Sequence, residues 1–76
     1  MPSVDELLAM IEPSPYFVHG LFQLDDGTWQ ANLRTKTTDP QVIFFDWGRG
    51  PTAAVALWEA MEKIAAKPLP EAPNVL

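Results

Sequence analysis

YFVHGLFQLDDGTWQANLRT, residues 16–35, sets the architecture of this chain. Residues 16–24 are rich in aromatic and branched side chains, which favour extended backbone. In residues 29–35 the side chains alternate: Trp29, Ala31 and Leu33 point one way, Gln30, Asn32 and Arg34 the other. Between them, DDGT places Gly27 where a hairpin needs a positive φ. The stretch therefore predicts two antiparallel strands, the second buried on one face only.

On the N-terminal side, Ser3 followed by Glu6 is a capping box, each side chain bonding the other's free backbone N–H. Val4, Leu7, Leu8 and Ile11 share one helical stripe, and Pro13 and Pro15 end the helix after about two turns. On the C-terminal side, TKTTDP is a polar loop, and QVIFFDW, residues 41–47, reads as a third strand apolar on both faces. Gly48, Arg49 and Gly50 read as a tight turn into a second helix capped by Thr52. Ala54, Leu57, Trp58, Met61, Ile64 and Ala65 form the buried stripe of that helix. Short connections imply a three-stranded antiparallel meander with residues 29–35 in the centre. The fold class is α+β, one small domain over residues 1–67 in the order α-β-β-β-α, with both helices on one sheet face. Residues 68–76, PLPEAPNVL, have no period and read as a proline-rich flexible tail.

Seventy-six residues make one domain, and 47% apolar content is enough for a packed core. With no cysteine, disulfides and thiolate metal sites are excluded, and the reading is cytoplasmic. The first residues are acidic and lack a secretory pattern, and no run is long enough to span a bilayer. Ten acidic against five basic residues give a net charge of −5. Phosphate backbones attract Lys and Arg, so direct binding to nucleic acid is not expected, whereas a protein with a basic surface is a suitable partner.

Little here points to chemistry. His19 is the only histidine and lies in a strand, without a serine or carboxylate beside it. Asp25-Asp26 belongs to a turn and offers too few oxygens for calcium. No nucleophile motif, P-loop or zinc pattern occurs, so the expectation is no enzyme activity, no metal and no cofactor. The aromatic content says more. Tyr16, Phe17, Val18, Leu21 and Phe22 in the first strand, and Val42, Ile43, Phe44, Phe45 and Trp47 in the third, serve both faces, yet helices cover only one. An apolar patch on the other face is expected to meet a partner or a second copy of the chain.

In element order the chain resembles the double-stranded-RNA-binding domain. Ala53, Ala54, Val55 and Ala56 stand where that family carries its basic cluster, so its RNA chemistry does not carry over. Gly50, Thr52 and Ala56 resemble the strand-to-helix joint of small antitoxin-like modules. In size, acidity and lack of catalytic residues the chain is similar to the anti-CRISPR inhibitors of bacteriophages. That resemblance implies a DNA-mimic inhibitor whose acidic and aromatic residues cover the basic surface of a host nucleic-acid-binding complex. The contributors would be Asp25, Asp26, Asp39, Asp46, Glu59 and Glu62, with Phe22 and Phe44 as apolar anchors. The alternative is a homodimeric adaptor or antitoxin-like regulator pairing through a sheet edge.

Overall fold

Ser3 starts the first helix as the spacing predicts. In the computed structural model, which describes residues 1–37, 39, 41 and 43–66, helix α1 spans Val4–Ile11. The Ser3 hydroxyl accepts the Glu6 N–H at 3.2 Å and the Glu6 carboxylate accepts the Ser3 N–H at 2.8 Å. Leu7 and Ile11 are buried; Leu8, on the margin of the stripe, is exposed. Ser14 then turns the chain, its hydroxyl donating to the Ile11 carbonyl and accepting the Tyr16 N–H.

Three strands follow, β1 (Tyr16–Gln23), β2 (Trp29–Thr35) and β3 (Phe45–Gly50), paired antiparallel in the order β1-β2-β3. The β1–β2 hairpin closes on Gly27, whose φ is 90° and whose N–H donates to the Leu24 carbonyl. Register slips once, between Val18 and Gly20, leaving His19 as the extra residue of a β-bulge. Ala31, Leu33 and Thr35 of β2 are buried, and α1 and α2 (Ala53–Ala65) share a core with them on one side of the sheet. The domain is α+β in the order α1-β1-β2-β3-α2.

Two expectations are corrected. The third strand does not run over 41–47: Gln41 is in a turn, and the strand begins at Phe45 and continues through Gly48, Arg49 and Gly50. Those glycines form no turn; Pro51 and Thr52 make the joint, and the Thr52 hydroxyl accepts the Val55 N–H at 3.2 Å. Their purpose is space. A Cβ on Gly48 would sit 2.5 Å from the Ala56 carbonyl oxygen and closer still to the Ala60 N–H, so the α2 backbone lies directly on the strand. The helical stripe is shifted accordingly. Its deepest residues are Ala56, Leu57, Ala60 and Ile64, while Ala54, Trp58 and Met61 are half-buried and Ala65 is exposed. Ala56 and Ala60 are four apart, on one face, and their small side chains permit the close approach. Residues 67–76, including the proline-rich segment, and Thr38, Pro40 and Val42 lie outside the described residues.

Candidate binding surface

The side of the sheet away from the helices is built by strand alternation. Cross-strand register sets its residues in three rows, Phe17–Arg34–Phe45, Gly20–Asn32–Trp47 and Phe22–Gln30–Arg49. The bulge turns His19 onto the same side, where its ring meets Phe17 edge-on at 6.0 Å and Phe45 at 5.8 Å. Three rings therefore cross one end of the sheet in contact. At the other end a polar chain is fixed: Arg49 Nε donates to Gln30 Oε1, and Gln30 Nε2 donates to Asn32 Oδ1, both at 3.0 Å. Trp47 joins the two ends. Its ring has the Arg49 guanidinium carbon at 5.0 Å and the Lys63 ammonium of α2 at 4.3 Å.

Three aromatic side chains on this side are open to solvent, and Phe17 is half-buried. Phe45 is 50% exposed, Phe22 42% and Trp47 40%, against 2% for Leu33 on the covered side. The charge is sorted as well. Arg34 and Arg49 stand on the open face with Lys63 at its rim, whereas Asp46, the one carboxylate in the three strands, is in register with Leu33 on the covered side. Asp46 Oδ1 accepts the Trp47 N–H at 2.8 Å. Two carboxylates border the face near Arg49. Glu59 accepts the Arg49 N–H at 2.7 Å from the α2 side, and Asp26, at the hairpin tip, is near enough to feel the Arg49 charge. Thr28 donates to the Asp26 carboxylate from its hydroxyl at 2.6 Å and its N–H at 3.0 Å, holding that carboxyl below the ordinary carboxylate range.

The residues proposed from sequence do not converge. Asp25 and Asp26 occupy the hairpin tip. Asp39 lies in the β2–β3 connection at the opposite end of the sheet, accepting the Gln41 N–H and donating its own to Thr37. Glu59 and Glu62 are on α2, Glu62 exposed and Glu59 half-buried against β3. Phe22 is on the open face. Phe44 is not: it precedes β3 and exchanges bonds with Thr35 (Phe44 N–H to Thr35 Oγ1 and Thr35 N–H to the Phe44 carbonyl), so alternation places it on the covered side. Sequence reasoning missed Arg34 and Arg49 as partners of the aromatics. The signal was present in Phe45-x-Trp47-x-Arg49, an alternation hidden once the strand was taken to end at Trp47.

An apolar cleft of about 220 Å³ opens between the helices, lined by Met10, Ile11, Tyr16, Leu33, Met61 and Ile64 among others. Among the described residues no three His, Asp or Glu side chains are grouped to hold a metal, and no helix is long and apolar enough to cross a membrane. Comparison with known proteins finds no matching family model, no similar curated protein and no similar solved structure.

Proposed function

We propose that this protein is a non-catalytic binding module that engages its partner through the open face of its sheet. The observation that carries this reading is the set of aromatics on one surface, half-buried Phe17 with exposed Phe22, Phe45 and Trp47, interleaved with Arg34 and Arg49. Aromatic and Arg side chains are the residue types that most often anchor interfaces. Here several are already held in place, Phe17 and Phe45 through His19, and Trp47 beside two cations. Less side-chain entropy is then lost on binding.

A second reading keeps the inhibitor that the resemblance to anti-CRISPR proteins implies and the net charge supports, in which carboxylates occupy a basic surface on a host nucleic-acid-binding complex. It is favoured at one place, the hairpin tip, where Asp26 is fully exposed and held ionised. One experiment separates the two. Immobilised wild type, Phe45→Ala/Trp47→Ala and Asp25→Lys/Asp26→Lys proteins are compared for retention of the same host factor. The open-face reading expects retention lost at least tenfold in the aromatic double variant and unchanged in the charge reversal. The reverse pattern establishes the acidic tip as the contact and removes the open face.

A further inference from the structure

We propose that the open sheet face binds single-stranded nucleic acid, stacking bases on its rings; this rests on the reading of that face as the docking surface. The first support is charge complementarity. The whole chain carries −5, yet the strand side chains on this face include two cations and no carboxylate, with a third cation, Lys63, at its rim. The strand side chains among the exposed rings are thus opposite in sign to the whole chain, so an anionic occupant suits this face inside the border set by Asp26 and Glu59.

The second support is the kind of side chain between the charges. Phe17 and Phe45 stand on the two outer strands, about 10 Å apart by strand spacing, with Arg34 between them in register and His19 touching both rings. Every base has a π-face, so rings on an open sheet hold single strands with little regard to sequence. Gln30 and Asn32 line the centre with amide groups able to pair with base edges. An acidic polypeptide would satisfy the arginines, but it offers the rings no flat counterpart. A duplex keeps its base faces inside the stack and offers the rings only an edge. The bordering Asp26 and Glu59 limit the site, which has room for roughly two or three bases, as on other aromatic-bearing sheets.

The test is an NMR titration of ¹⁵N-labelled full-length protein with an eight-nucleotide oligo(dT), an eight-nucleotide oligo(rU), a sixteen-base-pair DNA duplex and an oligoglutamate peptide. Either single strand should shift the signals of Phe17, His19, Asn32, Phe45 and Trp47, and should bind roughly tenfold more weakly at 200 mM than at 50 mM salt, as expected for two or three phosphates. Arg34→Gln/Arg49→Gln should flatten that salt dependence. Phe45→Leu, which keeps an apolar side chain but removes the flat ring, should weaken binding several-fold at an unchanged melting temperature. Duplex binding as tight as single-strand binding would overturn the proposal. So would open-face shifts with oligoglutamate alone, although the docking surface itself would stand. If no oligonucleotide perturbs the face and the host factor is lost only on reversing Asp25 and Asp26, the proposal and the docking surface fail together.

Discussion

The two faces of β3 reverse the usual distribution of side-chain size. On the covered side, β3 contributes Gly48 and Gly50 to a helix that presents Ala56 and Ala60. On the open side, the same strand contributes Phe45, Trp47 and Arg49. A core normally claims the largest apolar residues, and a lone exposed one needs no explanation. Here the exposed ones are grouped, and the buried contact is made from the smallest residues available. Close backbone approach fixes α2 on β3, which leaves the aromatic residues of that strand free to serve the other face. Stability is thereby assigned to one side of β3, and the recognition proposed above to the other.

Glycine substitutions break this comparison most sharply. Gly48→Ala puts a methyl group into the α2 backbone, and neither strand nor helix can yield by rotating a side chain. The expected loss is about 3 kcal/mol or more, a large share of what so small a domain possesses. Gly50→Ala meets Val55 Cγ1 and, at 2.8 Å, Val55 Cβ, which no side-chain rotation moves, so about 2–3 kcal/mol is expected. On the open face, a Cβ on Gly20 comes no closer than 3.4 Å to the Asn32 side chain, and Gly20→Ala should change stability by less than about 0.5 kcal/mol. Urea midpoints of the three variants check the order. Equal losses at Gly48 and Gly20 would remove the close-contact account of α2.

Truncation on the two faces sharpens the contrast. Leu33→Ala opens a cavity beneath both helices and should cost about 2–5 kcal/mol. Phe45→Ala removes a larger side chain that is already half in water, with an expected cost of about 1 kcal/mol or less. The effects on the binding proposed for the open face should run the other way: Phe45→Ala weakens it, and Leu33→Ala leaves it unchanged in the fraction that stays folded.

The covered side was the more legible of the two. The capping box at Ser3, the alternation of β2 and the positive φ of Gly27 each follow from local chemistry, and each is found where the spacing places it. Gly48 was misread because glycine marks both turns and close approaches, and only the partner surface tells them apart. That error moved the third strand and hid the Phe45-Trp47-Arg49 alternation. The helical stripe was misplaced for a related reason: hydrophobic periodicity weights Trp58 and Met61 above Ala56 and Ala60, although small residues pack closest. A total of −5 says nothing about where five cations lie, and antiparallel pairing brings Arg34 and Arg49 onto one face from residues fifteen apart in sequence.

The smallest expected effect concerns acid, and it separates the ends of the elements from both faces. Glu6 serves α1 on the covered side, and its carboxyl is held below the ordinary range by bonds from the Ser3 N–H and hydroxyl. Asp26 serves the hairpin beside the open face and is lowered by the Thr28 hydroxyl and N–H. A carboxyl lowered in the folded state contributes stability at pH values above its unfolded pKa, and that contribution disappears as pH falls through the folded value. Both groups are fully exposed, so the effect is a shift of a few degrees at most in melting temperature. Glu6→Gln and Asp26→Asn carry the neutral form permanently. Each variant should melt slightly below wild type at pH 6, and the gap should close as pH falls below the ordinary carboxylate range, where wild type is itself protonated. Melting temperature against pH for the three proteins makes the measurement. A gap that stays constant down to pH 2 would mean that side-chain shape, rather than ionised hydrogen bonding, sets these two caps.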